Sequence, residues 1–501
     1  MKKLLFISTL TLTMGLGLAS CDSYLDINQD PNSPSAENIN SNMLMPAAEM
    51  NVAASYGDYL RITGGYLCEV YSQNFGTSNY LDYASFQMTG TRSSSFYTQM
   101  TQRAENNLQT IRELSAADEE WGTYLAATVL RVFAYQALVD CYGEIPYTQA
   151  LDPNNLSPAY DEGLTVYEGL LTELDEALAN VADNSVVCTN FLYTGKTAGP
   201  WIKFANALKM RILMRMWNAR DVSSEVAALI AENNFPEEDV AYTDCWSDQT
   251  NSRNPFYEEE FAAGRQQNLV LNLALKGTMQ LTDAEGNVTY EDPRLGAFFN
   301  RNADGEFFGG ISGTNHSTAK DITSSTLCRP VATATMPLCL LTKAETEFFI
   351  AEYYARTNNA AQAQAHYNAA IEESFASAGV DGAAENIAQY PYDQSNFERC
   401  IGLAKWIAMS GVTPFEGYCD VRRLGYPTFG TATGDDFYDT ASGEYDASSY
   451  EPGTLYTPIQ VYNQVGSNQL LQRWPYPESS SSTNANTPSF KGYTTPIFWA
   501  E

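Results

Sequence analysis

The chain has 501 residues and a formal net charge of −32, from 28 Lys and Arg against 60 Asp and Glu. A surface this acidic repels nucleic acid and anionic lipid headgroups, so nucleic acid is excluded as a partner. Neutral or cationic partners, or partners with a local basic patch, remain, and acidity also keeps an exported protein soluble.

The N-terminus carries Lys2 and Lys3, an apolar run from Leu4 to Leu18, and small residues before Cys21. This predicts a secretory signal peptide over residues 1–20, too short and wrongly flanked for a membrane-spanning helix. The ending Leu18-Ala19-Ser20-Cys21 looks like a bacterial lipobox, in which the cysteine is lipidated and becomes the mature N-terminus. Each buried acyl CH₂ then contributes about 0.8 kcal/mol of membrane affinity. Loss of Lys2 and Lys3 makes the body two charges more negative. Residues 22–40 are polar, with Pro31 and Pro34, and predict an extended tether behind the lipidated cysteine. No second hydrophobic run approaches about 18 residues, so the body is predicted to be anchored and not spanning. The remaining cysteines, Cys68, Cys141, Cys188, Cys245, Cys328, Cys339, Cys400 and Cys419, are dispersed without a C-x-x-C pair. Neither a disulfide scaffold nor a zinc ribbon fits them. Cys141 and Cys400 fall in apolar helical patterns and predict buried thiols. One or two disulfides remain open.

Helical periodicity dominates from residue 97 onward. Tyr97, Met100, Ala104, Leu108 and Ile111 form one apolar stripe, and residues 124–142 a dense apolar helix. Val166, Tyr167, Leu170, Leu171, Leu174, Ala177, Leu178 and Val181 keep helical spacing. Residues 201–217 predict a helix with Lys203, Lys209, Arg211 and Arg215 on its polar side. Residues 344–375 read as a helical pair broken at Thr357-Asn358-Asn359. Ile350, Ala351, Tyr354, Ala363, Tyr367 and Ala370 sit there at tetratricopeptide offsets. The small residues admit close approach, and Tyr354 and Tyr367 are predicted to fill the space between the helices. Residues 233–335 mix turns with short β-like pieces such as Val288-Thr289-Tyr290, and residues 425–501 are rich in Pro, Gly, Tyr and Ser. Long irregular stretches usually carry function. The predicted fold class is therefore mainly α: tetratricopeptide-like helical pairs as a scaffold, a loop-rich ligand-binding face and a few short strands. Residues 41–501 are expected to form one domain with irregular insertions near 233–335 and 425–501.

Catalytic signatures are sparse. The chain has two histidines, His316 and His366, and no H-E-x-x-H, G-x-S-x-G or P-loop pattern. The runs at Asp283 and Asn302 resemble fragments of calcium loops without the full ligand set, and turn chemistry accounts for them. No catalytic residue, metal ligand or cofactor is assigned. An exported glycosidase needs only two spaced carboxylates, so it stays open as an alternative, as does a purely structural adaptor.

Aromatic content points to ligand binding, with 32 Tyr, 23 Phe and 7 Trp. Sugars offer C–H faces to aromatic rings while their hydroxyls need amides, carboxylates or guanidinium groups. Aromatics beside such groups and outside the helical stripes are the candidates. Three segments qualify: Asn79, Tyr80, Asp82 and Tyr83 with Arg92; Phe307 and Phe308 with Asn315 and His316; and Trp246 between Asp244 and Asp248.

Several segments resemble the SusD/RagB family of outer-membrane nutrient-binding lipoproteins. They are Arg131-Val132-Phe133-Ala134-Tyr135 running on to Asp140-Cys141-Tyr142-Gly143-Glu144-Ile145-Pro146-Tyr147; Trp201-Ile202-Lys203-Phe204-Ala205-Asn206; Lys405-Trp406-Ile407-Ala408; Asp420-Val421-Arg422-Arg423 through Pro427; and Arg473-Trp474-Pro475-Tyr476-Pro477 with Asn484-Ala485-Asn486. The resemblance implies a helical tetratricopeptide-like fold at the cell surface, lipid-anchored in the outer membrane. It implies a SusC-like TonB-dependent barrel as partner, and an oligosaccharide, or alternatively a peptide, as ligand. It implies binding and delivery without catalysis. These motifs are read as scaffold: Gly143 and Pro146 stop a helix, and Arg422, Arg423 and Lys203 are expected to pair with carboxylates.

Overall fold

A computed structural model describes residues 39–500. The expected signal peptide, Cys21 and nearly all of the tether lie outside the described residues.

The scaffold is built from α1 (Ser41–Ala54), α2 (Glu105–Ala117), α3 (Trp121–Tyr142), α4 (Gly163–Ala179), α5 (Gly199–Met216), α6 (Lys343–Arg356), α7 (Ala360–Ala378), α8 (Phe397–Ser410) and α9 (Pro414–Leu424). Sequence-adjacent helices pack as pairs, α2 on α3, α4 on α5, α6 on α7 and α8 on α9, and contacts from α6 to both α5 and α8 join the two halves. The fold is mainly helical with tetratricopeptide-like pairs and a few short strands, as the periodicity predicted.

The α6–α7 hairpin follows its sequence closely. Thr342 caps α6 by accepting from the Glu345 amide, and Asn359 caps α7 from the predicted break. Ala351, Ala363 and Ala370 are fully buried where the helices approach, and Tyr367 fills the interior. Tyr354 does not: it lies half-buried at the edge, stacked on His366 at 5.5 Å.

Helix α3 is long and apolar enough to cross a membrane, yet almost all of it is buried inside the protein as a core helix. Its stop is local. Gly143 adopts φ +82°, and a Cβ there would lie 2.8 Å from the Arg473 guanidinium.

Charge is buried where the helical pairs meet. Arg211 binds Glu345 at 2.7 Å, and Arg215 bridges Asp140 and Glu416. Lys405 binds Asp420 at 2.7 Å, and Arg423 joins Asp420 and Glu352, the latter at 2.6 Å. Arg356 completes the set on Glu352. Five cations thus face five carboxylates, which makes burial tolerable. Against the cost of burial, Lys405 and Arg423 hold the Asp420 carboxyl below its ordinary value. This corrects the polar-side expectation for α5: Lys203 and Lys209 do face solvent and pair with Glu237 and Asp175, but Arg211 and Arg215 are interior. Arg423 pairs with carboxylates as expected. Arg422 instead donates to the main-chain carbonyls of Asp140 and Gln472 and lies over Tyr418 and Trp499.

The C-terminal stretch, expected to be part of the loop face, is largely a structural strap. Trp474 and Trp499 are fully buried, the Trp474 amide donates to the Cys141 carbonyl, and the Trp499 indole donates to Asp140 at 2.8 Å. Among the described residues the strands form two-stranded pieces only. Tyr71–Gln73 pairs antiparallel with Leu269–Leu271, and the β-like piece predicted at Val288-Thr289-Tyr290 lies in strand Val288–Glu291, which pairs with Gln280–Thr282. The described cysteines are free thiols; Cys141 is buried, whereas Cys400 is only half-buried.

Candidate functional site

Strand Tyr71–Gln73 and its partner Leu269–Leu271 carry the loops of one face to a common edge. Beyond them Asn74 donates its amide to the Gln267 carbonyl at 2.8 Å, and the Gly76 amide donates to the Asn315 carbonyl at 2.9 Å. The first two predicted segments are thereby neighbours. The third is linked through Arg253, which binds Asp248 at 2.8 Å and Glu258 at 3.2 Å.

Within this face the predicted rings are mostly committed to the interior. Tyr80 is 7% exposed and Tyr83 3% exposed. They stack on each other at 5.7 Å, Tyr80 reaches Glu259 at 3.4 Å, and Arg92 lies over Tyr83 at 5.1 Å. Both therefore anchor the loop and offer no open ring face, contrary to the expectation. Arg92 is bound to Asp82 at 2.6 Å and to the Asn79 carbonyl; the Asn79 side chain is left at the surface.

His316 is fully buried, with φ +56°. Its Nε2 accepts from the Ile311 amide at 2.9 Å, so the ring pins its loop from within. Burial pulls its pKa down to about 4, which keeps it neutral at ordinary pH. Phe307 is buried under Arg301, whose guanidinium lies 4.2 Å from the ring. Phe308 is half-buried against Tyr445 at 4.7 Å, and Asn315 is half-buried. Trp246 is half-buried, edge-on to Tyr242, with its indole donating to the Tyr242 carbonyl at 3.1 Å. Phe308, Asn315, Trp246, Asn79, Asp82 and Arg92 are partly or fully exposed; Tyr80, Tyr83, Phe307 and His316 are buried.

The sequence reading passed over a better platform in the same face. Tyr257 and Phe261 stack at 6.0 Å with 18° between their planes, and both are half-buried. Arg329 lies over Phe261 at 4.8 Å, and the exposed Gln267 amide oxygen accepts from it. Arg265 stands exposed beside them, bound to Glu259 at 3.3 Å. Helix Pro255–Glu260 sets Tyr257, because Asn254 caps it with its side chain and Pro255 occupies its first turn. The criterion applied elsewhere, aromatics beside amide and guanidinium groups outside the helical stripes, fits residues 257–267 equally. Arg329 could be assigned only after folding. Behind the platform, burial together with Glu259 and Glu260 pushes the Asp58 carboxyl well above its ordinary value.

Among the cavities elsewhere, two lie beside the α6–α7 hairpin. A groove of about 740 Å³ runs between the α6–α7 hairpin and the loops at 237–243 and 331–337. Its rim carries Glu237, Glu238 and Asp239, and the one ring among its lining residues, Phe298, is buried. A smaller cleft of about 360 Å³ is lined by Tyr390, Asn396 and Arg399. Neither groups half-exposed stacked rings with amide and guanidinium donors as the platform does.

The profile of a SusD-like family, described as "Starch-binding associating with outer membrane", matches residues 31–441. The chain belongs to the SusD-like family. The fold is correspondingly similar to solved SusD homologues. One from Bacteroides uniformis is 20% identical, with a TM-score of 0.67 over 91% of this chain and 98% of that one. One from Bacteroides fragilis is 18% identical, with a TM-score of 0.69 over 92% and 99%. A chitin-binding SusD homologue from Flavobacterium johnsoniae is also 18% identical, with a TM-score of 0.68 over 92% and 96%. No curated protein matches significantly in sequence. SusD-like proteins are binding proteins rather than enzymes. Of the family signatures quoted from the sequence, Asp140, Lys405, Asp420 and Arg423 sit in the buried network, whereas Arg131 pairs with Glu105 and Glu173 and Lys203 with Glu237 at the surface.

Proposed function

We propose that this SusD-like protein is a cell-surface lipoprotein, anchored through Cys21 and a tether to about residue 40. It captures an oligosaccharide on its loop face without cleaving it. It then delivers the ligand to a SusC-like TonB-dependent barrel in the outer membrane. The observation that carries the ligand class is the Tyr257–Phe261 pair, two stacked half-exposed rings beside Arg329, Gln267 and Arg265. Stacked rings suit the C–H face of a pyranose, and the neighbouring amide and guanidinium groups suit its hydroxyls. The chitin-binding relative supports a glycan over a peptide.

Delivery requires release, so dissociation constants in the millimolar to micromolar range are expected, roughly 4–8 kcal/mol. The test is a glycan array followed by calorimetry on the best ligand, with a peptide library in parallel and product chromatography after prolonged incubation. Phe261→Ala is expected to cost about 1–3 kcal/mol of binding, the range of other aromatic platforms. Peptide-only binding, undiminished binding by Phe261→Ala together with Tyr257→Ala, or linkage cleavage abolished by one carboxylate substitution would each overturn the reading.

A further inference from the structure

The cations along the loop face are not equivalent. Arg92 has Asp82, Arg265 has Glu259, Arg301 has Glu291 and Lys320 has Glu444, each within 4 Å. Arg329 has no carboxylate partner among the described residues. Its Nη1 donates to the Gln267 amide oxygen, while its Nε and Nη2 are shielded from solvent and find no acceptor. The nearby Glu260 does not fill the gap, because its carboxylate accepts from the Asn268 amide at 2.7 Å and from the Asn268 side chain at 3.1 Å. A shielded guanidinium without a counter-ion costs free energy that its surroundings leave uncompensated. Burial accordingly pulls Arg329 below its ordinary pKa, with Glu260 acting weakly in the other direction.

We propose that the glycan taken by this face is carboxylated, a uronic-acid-type oligosaccharide whose carboxylate pairs with Arg329 while its neighbouring sugar stacks on the Tyr257–Phe261 platform. The inference rests on the glycan-binding reading and narrows it. A planar carboxylate is the group that satisfies two N–H donors of one guanidinium at once. Gln267 marks where it enters. Gln267 is exposed, is held at φ +59° in a left-handed conformation, and is tied through its own carbonyl to Asn74. Its neutral side chain accepts from Nη1 alone, so a charged acceptor arriving on this side replaces it by a Gln267 rotamer change. The acidic surroundings set the charge density of the ligand. Glu258 and Glu259 beside the platform are held by Arg253 and Arg265, but the whole chain carries a net charge of −32, so a densely charged polyanion is repelled. The ligand is therefore a sparsely carboxylated oligosaccharide, with neutral sugars on either side of the acidic one.

The test uses the full chain and a panel of oligosaccharides bearing single uronic acids, each paired with its carboxyl-reduced form, in which a primary alcohol replaces the carboxylate on an unchanged backbone. Calorimetry is expected to show at least tenfold weaker binding after reduction. Arg329→Gln is expected to bind the acidic and reduced forms equally, at the wild-type affinity for the reduced form, and Arg329→Lys to keep part of the preference. The comparison of acidic and reduced ligands on the wild-type chain stands whether or not the variants fold. Equal wild-type affinity for both forms, or an undiminished preference in folded Arg329→Gln, overturns the inference. Binding confined to neutral glycans overturns it while leaving the glycan reading intact; binding of no glycan overturns both.

Discussion

Tyr80 and Phe261, on the same face, separate anchoring from recognition. Tyr80 is interior, so Tyr80→Ala opens a hole in the loop support and is expected to cost stability by about 3–5 kcal/mol, the range for large aromatic truncations. Phe261→Ala removes a half-exposed ring and is expected to leave the melting temperature near that of wild type while weakening ligand binding. Thermal melts and calorimetry on both variants check the split; a stable Tyr80→Ala protein that fails to bind would return Tyr80 to the site. His316 supplies a pH signature. Its folded pKa of about 4 lies below the unfolded value of 6.5, so the unfolded chain takes up the proton first. Stability is complete above about pH 6.5 and declines as pH falls toward 4, by about 3 kcal/mol in all. Glu49 acts oppositely: burial, against hydrogen bonds from the Phe191 and Leu192 amides, pushes it up to about 7, so folding gains as pH falls from 7 toward 4.5. Denaturant titrations at several pH values are expected to show His316→Gln losing less stability on acidification than wild type. Parallel curves for the two proteins would reject the assignment.

At the scale of elements, the pairs are held by charge as well as by apolar burial. Arg215 sits between Asp140 and Glu416, and the Tyr167 hydroxyl and Trp499 indole complete the Asp140 shell. Arg215→Met leaves buried Asp140 without a cation and Glu416 with Arg211 alone at 3.5 Å, and is expected to destabilise by about 3–5 kcal/mol. Lys203→Ala, which breaks a surface pair with Glu237, is expected to leave the melting temperature unchanged. Chemical denaturation of both variants measures the contrast, and a mild Arg215→Met would mean that the network relaxes around the loss. The hairpin α6–α7 was readable because Ile350, Ala351 and Tyr354 before the break, and Ala363, Tyr367 and Ala370 after it, each keep helical spacing. Arg211 and Arg215 were misread for the converse reason. Charge on a helix normally marks the solvent side, and the carboxylates that neutralise it here come from α3, α6 and α9, far away in the chain.

For the whole molecule, the lipobox and the family together predict where the protein works. Cys21→Ala is expected to abolish lipidation and release the protein from the outer-membrane fraction, while external protease cleaves the wild type on intact cells. Wild-type protein that resists protease until lysis would reject surface exposure. Detergent-solubilised membranes are expected to yield the protein together with a TonB-dependent barrel, through an interface on the order of 2,000 Å² or more. Recovery of the protein alone in several mild detergents would argue against that partnership.

Sequence alone determined the helical class, the α6–α7 pair, the stop at Gly143 and the family, because periodicity, capping and signature runs are local and survive in one dimension. It also located irregular stretches at 233–335 and 425–501, of which the second proved largely a structural strap. Tertiary structure alone decided which rings are open. Tyr80 and Phe261 both stand beside polar residues in the chain, and only packing against Tyr66 and Glu259 in one case, and the half-open stack on Tyr257 in the other, sets them apart. The same holds for charge. Arg329 differs from Arg92 and Arg265 only in what folding brings within 4 Å, a non-local property that residue type does not encode.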